Sequence, residues 1–283
     1  MVFNATRLLG KTVLVTGASS GIGKATAILF AKAGSNVLLL ARRADALETV
    51  KRACEEAHKA SGLKEGGQFA AIPLDVSDRA AISKLFSLVP EPLRAVDILV
   101  NNAGYVIGRD HVGNIEDKVI DGMFATNVLG LIAMTQLFVN DFKARGAAGH
   151  IINLGSVAGR EPYAGGSVYT ATKFAVNAFT ASMMRELINT PIRVTEIQPG
   201  MVETEFSLVR FNGDTDAAKA VYAGMQPLTG EDVAEEIVWA ASRPPHVNIA
   251  ETLVFPVNQA SAITFYRAPS TSQHIHATYS SKL

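Results

Sequence analysis

Cysteine is almost missing from these 283 residues. The single Cys54 excludes an internal disulfide and a cysteine-based metal site, and in its helical stretch it reads as a plain structural thiol. Neither sign of charge prevails, since 26 Lys and Arg balance 26 Asp and Glu. That removes the basic excess of a nucleic-acid binder and the acidic run of a solvated tail. Long apolar runs are lacking too: neither the h-region of a signal peptide nor a stretch of membrane-spanning length is expected. No Gly-x-Ser-x-Gly elbow follows a strand, so a Ser/His/Asp hydrolase is excluded. His111, His246, His274 and His276 have no metal-ligand spacing, and no metal is expected. What is present, 48% hydrophobic and 18% charged residues, suffices for a large core. The expectation is a soluble, intracellular, globular protein with a small-molecule partner, and neither a nucleic-acid nor a membrane partner.

Short apolar runs alternate with longer helical stretches. Residues 12–16, 36–41, 69–74, 97–100, 150–154, 193–197 and 252–255 read as strands. Residues 23–33, 44–60, 78–88, 116–143, 167–189 and 231–240 read as helices. Most strand runs are continuously apolar, as in a parallel sheet covered on both faces. Repeated βα units predict an α/β fold: a single Rossmann-like, doubly wound parallel sheet of about seven strands with helices on both faces. Residues 1–266 form one domain in this reading. Residues 203–228 interrupt the alternation where a lid over a pocket fits. Residues 267–283 are polar and read as an exposed tail.

Directly after the first strand comes TGASSGIG, Thr16 to Gly23, and a helix follows. Gly17, Gly21 and Gly23 permit positive φ and let the backbone approach a pyrophosphate, while the helix N-terminus offers N–H groups to the anion. At the end of the second strand, where an NAD enzyme has a carboxylate for the ribose 2′-hydroxyl, the chain has Ala41 followed by Arg42 and Arg43. Two guanidiniums suit a 2′-phosphate, so NADP(H) is the expected cofactor. Asp45 is explained as helix N-terminal charge.

Tyr169 and Lys173 are spaced i and i+4 on a helix and so share one face. A free tyrosine titrates near pH ~10, and a fixed ammonium beside it is expected to lower that value. Ser156 precedes Tyr169 by thirteen positions, just past the fifth strand, at the sheet edge where ligands bind in open α/β folds.

The string GxxxGxG with its preceding Thr resembles the short-chain dehydrogenase/reductase family. So do Asn101-Asn102-Ala103-Gly104, Asn127, Ser156, Tyr169, Lys173, Pro199-Gly200 and Thr204, which occur in that order over roughly residues 10–260. The resemblance implies an oxidoreductase in which Tyr169 exchanges the proton and Ser156 holds the substrate oxygen. Lys173 supports the tyrosine and bonds the nicotinamide ribose. Asn127 shapes its helix and supports a water relay to the lysine. Ser19, Ser20 and Ile22 belong to the phosphate turn, and Asp75-Val76 to the adenine contact. Asn102, Ala103 and Gly104 pass under the adenosine ribose, and Pro199, Gly200, Val202 and Thr204 hold the carboxamide.

Three stretches, 154–163, 199–211 and 255–261, carry a narrower resemblance to the NADP-dependent branch acting on serine, L-allo-threonine and related 3-hydroxy acids. A carboxylate substrate needs a cation, and Arg160 and Arg210 are the candidates; either is alternatively an ion-pair partner of Glu161, Glu203 or Glu205. A broad carbonyl reductase on ketones or aldehydes and a non-catalytic NADP(H)-binding sensor are the other readings. Apolar residues on several sides of 116–143 and 167–189 predict a homodimer or homotetramer. Ser281-Lys282-Leu283 matches the address read by the peroxisomal import receptor, with a cytoplasmic location as the alternative. Arg42→Ala is expected to weaken NADP binding much more than NAD binding, measured by titration of both cofactors; equal losses would overturn the cofactor assignment.

Overall fold

The computed structural model describes residues 5–268. The seven apolar runs become β1 Thr12–Thr16, β2 Asn36–Ala41, β3 Phe69–Pro73, β4 Ile98–Asn101, β5 Gly149–Leu154, β6 Ile192–Pro199 and β7 Glu251–Val254. Every residue of β1, β2, β4 and β5 is buried, which is why those runs are continuous rather than alternating. The sheet is wholly parallel in the order β3-β2-β1-β4-β5-β6-β7. Chain direction across the sheet reverses between β1 and β4, opening a crevice beyond the strands' carboxyl ends.

Helices α1 Gly21–Lys32, α2 Ala44–Ser61 and α10 Gly230–Ala241 cover one face around Phe30, Val13 and Val15. The other face packs Leu14, Leu38 and Leu99 against Met134, Phe138 and Phe142. Asp45 lies in the first turn of α2, as its charge suggests. Cys54 is buried in that helix, and burial together with the charge of Glu55 pushes its thiol up to about 12, leaving it protonated.

Two expected helices are divided. The stretch 78–88 splits into α3 Arg79–Ser83 and α4 Leu85–Leu88, with the Asp78 carboxylate accepting from the Ala80 and Ala81 N–H groups. The stretch 116–143 runs as α5 Asp117–Phe124, a π-helical turn Ala125–Gly130 and α6 Leu131–Arg145. Gly130 in this turn lies so close to the Val76 carbonyl that a methyl group there would collide. Contrary to the reading that no run approaches membrane-spanning length, Asp117–Arg145 passes that test by length and composition, an 18-residue window within it having a mean hydropathy of 1.6. Its apolar residues have an internal use: Phe138 and Phe142 are fully buried against the sheet.

The segment between β6 and β7 holds α8 Glu205–Arg210, α9 Thr215–Ala220 and, after them, α10. It is stitched at both ends, because Glu203 N–H donates to the Leu228 carbonyl (2.8 Å) and Leu228 N–H to the Met201 carbonyl (2.9 Å). The domain extends past the expected boundary at 266. Arg267 donates to the carbonyls of Val221 (2.8 Å) and Ala223 (2.7 Å), and Ala268 N–H to that of Gly224 (2.7 Å). Ser281-Lys282-Leu283 lies outside the described residues.

Candidate active site

The carboxyl ends of β1 to β6 converge on a cleft of about 460 Å³. At its nucleotide end, Thr16 fastens β1 to β4: its hydroxyl donates to the Val100 carbonyl and accepts from the N–H groups of Asn102 (2.9 Å) and Ala103 (3.0 Å). The Asn102 amide donates to the Thr16 carbonyl at 2.9 Å. Gly17 follows at φ +65°, and a Cβ there would come within 2.8 Å of the Asn102 amide and 2.9 Å of Ala103. A Cβ at Gly23 would collide with the Gly17 carbonyl and the Asn102 side chain, so only glycines let the turn and α1 close on one another. The Ser20 side chain, at the N-cap of α1, makes no hydrogen bond to the helix's first N–H groups. The glycine cradle, the open helix end and the arginines at the β2 edge fit a nicotinamide dinucleotide.

Arg42 and Arg43 are both exposed at that edge. Arg42 lies 3.9 Å from the Asp75 carboxylate. Arg43 donates to the Ser19 hydroxyl (3.2 Å) and the Glu205 carboxylate (3.1 Å). Exposed pairs of this kind are weak, so an incoming phosphate can replace the carboxylates.

At the chemical end, Ser156, Tyr169 and Lys173 are all buried together. The Ser156 hydroxyl accepts from Ala158 N–H at 3.1 Å and bonds the Tyr169 phenol. Lys173 Nζ donates to the Leu154 carbonyl at 2.7 Å and lies 5.9 Å from the Tyr169 ring centroid. The expected lowering of Tyr169 by Lys173 is not what the geometry gives. Burial pushes the phenol far above its ordinary value, Tyr163 adds to the rise, and the groups opposing it are Ser156 and Arg210. Lys173 itself is pulled down by burial to about 8, against the charge of Glu196.

Asn127 does not line the cleft. Its side chain accepts from Tyr105 N–H (3.0 Å) and donates to the Tyr105 carbonyl (2.9 Å) and the Thr172 hydroxyl (3.2 Å). It thereby joins the π turn, the segment after β4 and α7 Ser167–Glu186. Gly23, Arg160 and Arg210 also stand outside the lining, while every other expected site residue borders the cleft. The expectation for Arg160 is corrected: its guanidinium bonds Gln198 and pairs with Glu251, neither of them a partner considered above. Arg210 stacks 5.6 Å over the Tyr163 ring, and its Nε is buried with no hydrogen-bond partner among the described residues.

Sequence reasoning missed Tyr105, Glu205 and Phe206 in the lining. Phe206 meets Tyr169 edge-to-face with centroids 5.8 Å apart. The only signal for it was its place in the 203–228 insertion.

A dinucleotide-binding crevice ending in a Ser–Tyr–Lys cluster defines a dehydrogenase. The chain belongs to the short-chain dehydrogenase family, whose pattern matches residues 11–213. It is 46% identical to an NADP-dependent 3-hydroxy acid dehydrogenase of Schizosaccharomyces pombe, over 92% of this chain and 98% of that protein. It is 39% identical to a serine 3-dehydrogenase of Agrobacterium fabrum, over 89% and 96% respectively. Among solved structures it resembles the closed form of a serine dehydrogenase complexed with NADP+, with a TM-score of 0.82 and 39% identity over 89% of this chain and 97% of that one. Tyr169→Phe is expected to lower turnover by roughly 10²- to 10⁴-fold, the usual contribution of a general acid–base group. NADPH affinity should stay nearly unchanged when measured by fluorescence titration.

Proposed function

We propose that the protein is an NADP(H)-dependent oxidoreductase acting on the hydroxyl-bearing carbon of a 3-hydroxy acid such as serine or L-allo-threonine. The cofactor reading is supported by the two arginines at the β2 edge, with no carboxylate at Ala41, by the name of the NADP-dependent Schizosaccharomyces pombe relative and by the serine dehydrogenase structure complexed with NADP+. The acid reading is carried by Arg210. It is a cation whose Nε is buried and unpartnered, close enough to Tyr169 to act on its phenol, whereas Arg160 is already engaged by Glu251. A substrate carboxylate would give that nitrogen its acceptor.

When bound, the nicotinamide supplies or takes up the hydride. Gly17 to Gly23 would hold its pyrophosphate, Arg42 and Arg43 its 2′-phosphate, and Thr204 and Val202 its carboxamide. In reduction, the protonated Tyr169 phenol gives its proton to the substrate oxygen while the Ser156 hydroxyl holds that oxygen. In oxidation the same phenol oxygen, deprotonated, takes the hydroxyl proton. Lys173 holds positive charge below the phenol, and Asn127 keeps α7 and the segment after β4 in register. Phe206, edge-on to Tyr169, covers the reacting centre and excludes water.

We also infer a homodimer or homotetramer, on the exposure of Leu129 (44%) in the π turn and Phe174 (41%) on α7. Light scattering should return two or four chains, and a single-chain mass would refute the assembly. Arg210→Met should raise the KM for a 3-hydroxy acid roughly ten- to a hundredfold, the worth of a charge-assisted hydrogen bond, while neutral alcohols are unaffected. An unchanged acid KM, with neutral ketones reduced well, would favour a broad carbonyl reductase.

A further inference from the structure

Behind the reacting pair stands an acid that the mechanism above does not use. Glu196, on β6, is 2% exposed, and its Oε1 is buried without a hydrogen-bond partner among the described residues. That oxygen lies against Gly155, where a methyl group would collide with it. Gly155 directly follows Leu154, whose carbonyl holds the Lys173 ammonium. The other oxygen, Oε2, accepts from the Asn177 amide at 3.0 Å. Tyr169, Lys173 and Asn177 occur every fourth residue, so α7 presents phenol, ammonium and amide as one stripe. The carboxyl is fastened to the last of the three.

Polar groups continue outward from it. The Arg160 Nε–H donates to Gln198 Oε1, and an arginine can only donate, so the Gln198 amide nitrogen is turned to the other side. That nitrogen is buried with no hydrogen-bond partner among the described residues, near enough to Glu196 to lower its carboxyl. Arg160 is in turn paired with Glu251 on β7. The charged groups bearing on Glu196 are therefore Lys173 from α7 and Glu251 from β7, with Asn177 as the neutral donor, the Gln198 amide nearby and Arg160 beyond Gln198.

We propose that Glu196 is a positioning residue for the reaction at Tyr169: its carboxylate, clamped behind Gly155 by Asn177, keeps the buried Lys173 ammonium charged. The assignment gives a reason for a buried acid with an orphaned oxygen, a group that otherwise only destabilises. The directions agree with it. Burial drives the Lys173 ammonium down and Glu196 drives it up; burial drives the Glu196 carboxyl up, and Gln198, Asn177 and Lys173 drive it down. Each group supports the ionised form of the other.

The test is a titration of Lys173 in the full-length protein labelled with ¹³Cε-lysine, its signal assigned by loss in Lys173→Arg. The wild-type ammonium should titrate at about 8. In Glu196→Gln the midpoint should fall by about one unit, the lower end of the effect of a nearby opposite charge. At pH 8 that leaves the protonated fraction about fivefold smaller. Asn177→Ala, at a half-buried site, should move the midpoint the same way by less, and it covers the case in which Glu196→Gln fails to fold. Where a panel of hydroxy acids and ketones yields a substrate, the limb of the reduction profile that falls with rising pH should shift to lower pH in step. A Lys173 midpoint unchanged in a folded Glu196→Gln protein, or unchanged in Asn177→Ala, overturns the proposal. The titration needs no substrate, so its failure is distinct from failure of the hydroxy-acid reading.

Discussion

The hydrogen bond from Lys173 Nζ to the Leu154 carbonyl is the contact on which the chemical end depends. A lysine ammonium hidden from water is costly unless acceptors and opposite charge surround it. One acceptor is the last carbonyl of β5, so the charge can stand only where α7 lies flat against that strand end. Gly159 permits this approach, since a Cβ there would come within 2.7 Å of the Lys173 carbonyl. Asn127 holds Thr172 from one side, and the Asn153 amide holds Thr180 from beneath. The catalytic geometry is thus a by-product of how a helix is seated on a parallel sheet.

That seating also explains the state of Tyr169. The phenol is enclosed by Phe206 and Tyr163 and is held protonated by burial, which suits a proton donor. The burial that raises the phenol also lowers the ammonium below it, so the two groups are poised from opposite directions by one cause.

The nucleotide end was legible because its chemistry follows from backbone conformation. Gly17 and Gly23 can hold nothing but glycine, and their spacing records this. Arg42 and Arg43 were legible because they stand where a strand ends. Arg160 was misread because its partners, Gln198 and Glu251, are 38 and 91 residues away and meet it only through the order β5-β6-β7. Glu196 was invisible for the same reason, lying in the alternating run Arg-Val-Thr-Glu-Ile, where a polar residue reads as the solvent side of a strand. The π turn left no trace in hydrophobic period, and its Asn127 was recognised by family likeness rather than by geometry. The apolar stretch 117–145 reads as one helix because its three consecutive elements continue one another without a break in composition.

The two stitches at Glu203 and Leu228 have a consequence for how such an enzyme diverges. Chemistry resides on strand ends where neighbouring atoms forbid a side chain at Gly155 and Gly159, so drift there is closed off. The segment between the stitches is anchored at its base yet carries Phe206, Val209 and Arg210. Residues within it can be exchanged, lengthened or shortened without disturbing the sheet, and a lineage can therefore change what it accepts while keeping the proton path untouched.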